Sequence, residues 1–248
     1  MTISLVATSH GTDSVASQIA ISALVDAVRE SAPHLDVREA FVDVQMPKVD
    51  TVVDLVDGLA VIVPLLLTPG FHQKVDIRDA ADRPWVAAAA VLGADDRLTS
   101  VMMRRLREAG ATRSDVVVLG SAGSTDPLAR SSVDEAAHRL SGAWGAPIEV
   151  GYVGGTGIPL TEVVDRVRRP GCRIVVVSYL MGPGFFHGRL GRAGADVVTR
   201  PLLDGRTVDQ EMVSLVLDRF AAAAETLEWT SASAAHRPHG ALVTKTST

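Results

Sequence analysis

The chain has 248 residues, 47% hydrophobic and 21% charged, with a formal net charge of −5. That balance belongs to a soluble globular protein and excludes broad nucleic-acid binding, which needs a basic surface to neutralise phosphates. It leaves room for a small anionic ligand held by a few local cations. A single cysteine, Cys172, excludes an internal disulfide or a thiolate metal cluster within one chain and reads as a buried structural thiol. The apolar runs Leu59 to Leu67 and Val86 to Leu92 are far shorter than the roughly 20 residues that span a bilayer. Met1 to His10 has no basic stretch, apolar segment and cleavage site of the secretory kind, so a cytoplasmic protein with neither a membrane nor a nucleic-acid partner is expected.

Strand-like apolar runs alternate with amphipathic stretches, the pattern of parallel βαβ units. The spacing predicts a strand over Ile3 to Thr8, a helix over Val15 to Glu30, a strand over Asp36 to Val44 and a short helix over Val49 to Asp57. Strands at Ala60 to Leu67 and Trp85 to Leu92 follow, then a helix over Arg97 to Glu108. The second half repeats the order: a strand over Asp115 to Gly120, a helix to about Ser141, a strand over Ile148 to Val153, a helix near Leu160 to Arg168, and a strand over Arg173 to Leu180.

Two landmarks support an internal duplication. Gly11-Thr12-Asp13 is echoed by Ser124-Thr125-Asp126, and Pro69-Gly70-Phe71-His72 by Pro183-Gly184-Phe185-Phe186-His187. The expected architecture is therefore α/β, two similar domains each with a small parallel sheet flanked by helices. Their spans are 1–112, with the active site, and 113–228, the degenerate copy; the boundary falls near Gly110 to Ser114. A last helix over Val208 to Leu227 precedes a tail, 229–248, whose Ser, Thr, Ala, His and Pro content predicts disorder.

Ligands of parallel α/β sheets sit beyond the carboxyl ends of the strands. His10 follows the first strand and His72 lies in the loop after the third, so both can face one cavity. Imidazole ligates borderline divalent metals and accepts protons near neutral pH. Each histidine alone could simply cap a loop; the pair at equivalent strand ends favours chemistry. Gly11 allows a sharp turn into the next helix, and Gly70 a close approach of backbone to ligand. Thr12, Asp13 or Ser14 can cap the following helix. Phe71 offers a flat aromatic face, Lys74 and Arg78 could pair with carboxylates, and Asp43 could orient an imidazole or receive a proton. Each of these has a plain structural reading as well.

Ser-His-Gly-Thr at 9–12, Ala-Phe-Val-Asp-Val-Gln-x-Pro at 40–47 and Val-Pro-Leu-Leu-Leu-Thr-Pro-Gly-Phe-His-Gln-Lys-Val-Asp-Ile at 63–77 resemble the sirohydrochlorin chelatases of the CbiX and SirB type. The third motif is the specific one. The resemblance covers residues 3 to 110 strongly and the second half weakly, as in the long two-domain forms. It implies insertion of Fe²⁺ or Co²⁺, with Ni²⁺ a further option, into sirohydrochlorin, a macrocycle with eight carboxylate arms, on the way to siroheme or cobalamin. The metal is a substrate, and no permanently bound cofactor is implied.

By the same resemblance His10 is the metal-binding proton acceptor and His72 the second metal ligand. Leu67, Thr68, Pro69, Gly70 and Phe71 correspond to the segment lining the substrate, and Ser9, Gly11, Asp43 and Lys74 are expected around it from their own chemistry and places at the strand ends. Met46 stands where the family often has an acidic residue, so no acid–base role transfers there. In the second half Ala122 replaces the histidine while His187 remains. Short family members pair as homodimers, which implies a pseudo-dimeric monomer here. A histidine phosphatase would carry arginine where Ser9 stands. A non-catalytic carrier of metal or tetrapyrrole could use the same two histidines, and the tail histidines His236 and His239 could collect metal or be incidental.

Overall fold

The computed structural model describes the backbone of residues 3–235 and the side chains of 3–70 and 76–227. In the first half β1 (Ile3–Ser9), α1 (Val15–Ser31), β2 (Val37–Phe41), α2 (Val49–Asp54), β3 (Leu59–Pro64), α3 (Phe71–Ala81), β4 (Val86–Ala88) and α4 (Asp96–Glu108) follow one another. The second half has the same order: β5 (Val116–Ser121), α5 (Pro127–Trp144), β6 (Glu149–Tyr152), α6 (Leu160–Val167), β7 (Ile174–Tyr179), α7 (Phe185–Leu190), β8 (Val197–Val198) and α8 (Gln210–Ala235). Each half forms a four-stranded parallel sheet, ordered β2-β1-β3-β4 and β6-β5-β7-β8. The expected fold class, two similar α/β units from a duplication, is the observed one.

The central strands are apolar along their whole length because both faces of each sheet are covered. Leu5, Ala7, Val61 and Val63 point inward with Leu119, Val175 and Val177 of the other sheet, in one core built with α1, α4, α5 and α8. Val6, Ala60 and Ile62 point outward against α2 and α3, as Val118 and Val176 do against α6 and α7. The connection between sheets lies between Glu108 and Val116, yet packing crosses it. Helix α4 rests on α5 and β7 of the second half, and α8 rests on α1, β3 and β4 of the first. Arg105 fixes the exchange: only 3% exposed, its guanidinium donates to the carbonyls of Pro201 and Leu202 and to Asp209.

Some elements differ from the sequence expectation. The segment after β3 that was expected to be a loop is helix α3, placing His72 in its first turn; short α7 and β8 are likewise additional. Strand β2 stops at Phe41, because residues 42–47 form a tight loop before Lys48 bridges back to Phe41. Strand β4 ends at Ala88, where the chain leaves the edge while still bonding β3 through the Ala89 amide. Helix α8 continues beyond Leu227 to Ala235, and Cys172 is half-buried rather than buried. Of the expected disordered tail, 236–248 lies outside the described residues, with His236 and His239. No helix among the described residues is long and apolar enough to cross a membrane.

Candidate active site

A cleft of about 500 Å³ opens between the halves at the carboxyl ends of β1, β3 and β7, with Ser9, His10, Gly11, Leu67 and Thr68 in its wall. Ser9 is buried, whereas His10 is exposed to the cleft, and among the described residues the His10 ring has no hydrogen-bond partner. Gly11 makes this turn possible. Its φ is +89°, and a Cβ there would stand 2.1 Å from the Asp43 carbonyl oxygen. Around it the backbone is laced to the loop after β2. The Asp43 amide donates to the His10 carbonyl at 2.8 Å, the Thr12 amide to Gln45 Oε1 at 3.0 Å and Gln18 Nε2 to the Thr12 carbonyl at 2.6 Å. Ser14 is the residue that caps α1.

Asp43 thus touches the histidine turn through its backbone, while its carboxylate turns to Lys48 at 3.3 Å. The Val44 amide, then Lys48, and last the field of His10 hold that carboxyl below its ordinary 3.8, which keeps it ionised and acceptor-only. The neighbouring Val44 faces the cleft instead. Its backbone is left-handed, φ 59°, a conformation that a β-branched residue rarely adopts.

The loop after β3 forms the opposite wall. Leu65 donates to the Thr8 carbonyl at 2.8 Å, and the Leu67 carbonyl accepts from Ser132 Oγ of the second half at 3.5 Å. Pro69 and Gly70 are half-buried and lead into α3, with Gly70 as its N-cap. The backbone carries Phe71, His72 and Lys74 in the first turn of α3 at the end of this loop; their side chains lie outside the described residues. Arg78 is exposed and pairs with Asp79 at 3.6 Å. No group of three or more His, Cys, Asp and Glu gathers among the described residues.

The second half contributes surfaces that sequence reasoning did not assign. Ala122, Tyr179 and the segment 181–187 line the cleft. That segment presses on α1 so closely that a Cβ on Gly182 would lie 2.7 Å from Ser17 Oγ. Phe185 and Phe186 are exposed, their rings edge to face at 5.3 Å, with the Arg189 guanidinium 5.8 Å from the Phe185 ring centre. His187 Nε2 donates to the Thr199 carbonyl at 3.0 Å. The echo of the Pro-Gly-Phe-His segment was the available signal for this wall; nothing in the sequence marked Val44 or Tyr179.

Residues 4–109 match the CbiX family model, and no curated protein matches the chain by sequence. Among solved structures, SirB from Bacillus subtilis with Fe³⁺ superposes with a TM-score of 0.78 at 20% identity, covering 92% of this chain and 98% of that one. The sirohydrochlorin chelatase SirB from B. subtilis subspecies spizizenii, in complex with cobalt, gives 0.73 at 19% identity over 92% and 98%. CbiX, the terminal enzyme for biosynthesis of siroheme in denitrifying bacteria, gives 0.61 at 17% over 90% and 99%. Residues 4–109 are thus similar to the CbiX family, and the chain as a whole has the two-domain fold of these chelatases.

Proposed function

We propose that this protein is a sirohydrochlorin chelatase, a lyase that inserts Fe²⁺ or Co²⁺ into the macrocycle, working as a cytoplasmic monomer. The observation that carries the reading is the His10 imidazole, without a hydrogen-bond partner among the described residues, fronting an apolar cleft between the halves. Metalation requires a ligand that takes the ion out of water and a base for the two pyrrole protons displaced. A neutral imidazole suits both. Val44, Leu67 and Phe186 offer apolar walls to a flat ring, and the Arg189 guanidinium by the neighbouring Phe185 is a cation for its carboxylate rim. By the resemblance to these chelatases, His72 on α3 serves as the second metal ligand, and Phe71 and Lys74 of the same turn serve as substrate contacts. Asp43 acts through the histidine turn, not as a direct proton carrier.

The test is the anaerobic absorbance change of sirohydrochlorin with Fe²⁺ or Co²⁺, for wild type, His10→Ala and His72→Ala. Wild type is expected to exceed the uncatalysed rate, and His10→Ala to lose roughly 10²- to 10⁴-fold, the usual worth of a positioned base. His72→Ala is expected to lose comparably, with a higher metal requirement. Wild type that binds the macrocycle but leaves the rate at background would make the protein a carrier.

A further inference from the structure

The position where the second half lacks its histidine opens onto a recess. Behind Ala122 lies a space of about 40 Å³ walled by Thr68, Ser121, Gly123, Tyr152 and Arg130. Thr68, Ser121 and Ala122 also line the main cleft, so the two spaces adjoin. A water needs roughly 10–15 Å³ on this measure; the recess therefore has room for a group of a few polar atoms. Arg130 is half-buried and lines both this recess and an outer groove beside Asp134 and Glu149; its Nε, packed among protein atoms, has no hydrogen-bond partner, and its guanidinium forms no ion pair among the described residues. A guanidinium without a carboxylate partner at the wall of a recess is disposed to take one.

We propose that Arg130 binds a carboxylate arm of the macrocycle, admitted through the gap that Ala122 leaves. This rests on the chelatase reading and extends it: the first half handles metal and protons, and the second half grips the acidic rim. A carboxylate presents two oxygens to the planar fork of a guanidinium. A histidine at 122, the counterpart of His10, would fill the entrance. On this account alanine at 122 is not just a lost ligand; it opens a binding site.

The experiment measures sirohydrochlorin binding by spectroscopic titration without metal, and KM and kcat of insertion, for full-length wild type, Arg130→Gln, Arg130→Lys and Ala122→His. Arg130→Gln is expected to raise Kd and KM roughly tenfold, as loss of a charge-assisted pair does, with a smaller change in kcat. Arg130→Lys recovers part of the affinity because charge remains and the fork is lost. Ala122→His weakens binding by a similar factor and adds no insertion activity. If the wild type binds the macrocycle and Arg130→Gln, folded by thermal unfolding, binds it equally well, the inference is overturned while the chelatase reading stands. Unchanged binding by Ala122→His overturns it too, and carries the test should Arg130→Gln not fold. Wild type that fails to bind the macrocycle overturns both.

Discussion

Val44 and Gly155 occupy the same place in the two halves, each in the loop after the second strand of its sheet, with φ 59° and 62°. Glycine adopts this backbone freely, whereas a branched side chain there stores about 1–3 kcal/mol. Val44→Gly is therefore expected to stabilise the fold by about 1 kcal/mol, after about 0.5–1 kcal/mol is set aside for glycine's entropy. It also removes an apolar wall of the cleft and so should weaken macrocycle binding. Urea unfolding and the binding titration check both signs, and a less stable variant would show that the loop is unstrained. Gly11→Ala has the opposite character: the new methyl would collide with the Asp43 carbonyl, costing more than about 2 kcal/mol and displacing His10, which the insertion rate reads. The need for Gly11 was legible in Ser-His-Gly-Thr. Val44 was not, because nothing in a valine's neighbours along the chain announces a left-handed backbone imposed by packing against another turn.

At the level of elements, the buried strands were legible as apolar runs, and α1, α4 and α5 as periodic stripes with polar caps. Helix α3 was not. Pro69-Gly70 reads as loop chemistry, and apolar positions in its last turns, Ile77 and Ala80, are too few to make a stripe. Tertiary packing of those two residues against the outer core stabilises it.

Helix α4 shows what a cap can add. Asp95 accepts from the Arg97 amide at 3.0 Å, from Arg97 Nε at 2.9 Å and from Arg219 of α8 at 3.3 Å. The Arg97 side chain above all, opposed by burial and helped by the Arg97 amide, holds the Asp95 carboxyl below its ordinary 3.8. A carboxyl lowered in the folded state contributes its stability above the unfolded value and loses it as pH falls through the folded one. Asp95→Asn is thus expected to cost about 1–2 kcal/mol at neutral pH. The gap to wild type should close in acid below the folded pKa, as urea midpoints along a pH series would show. A gap that persists in acid would assign the effect to shape rather than charge.

For the molecule as a whole, the exchange of α4 and α8 makes the halves interdependent. Duplication was readable from the sequence, but which sheet a helix covers was not, since amphipathic periodicity names a buried face and not its partner. Arg105, with Asp209 at 2.7 Å and both nearly fully buried, ties α4 to the segment preceding α8. Removing one member of such a pair strands the other, so Arg105→Ala is expected to cost about 3–5 kcal/mol. A fragment of residues 1–112 lacks the helix that covers β3 and β4, and should fail to fold as a monomer. Circular dichroism and sedimentation decide this; a cooperative monomeric fragment would show that α8 is dispensable.

Joining the two copies in one chain also changes what mutation can reach. In a homodimer every substitution appears twice, so alanine in place of the histidine would silence both sites at once. Here the codon for Ala122 is separate from that for His10, and one side can lose a ligand while the other keeps it. The single polypeptide thereby permits specialisation that a symmetric pair, reading one gene twice, could never acquire.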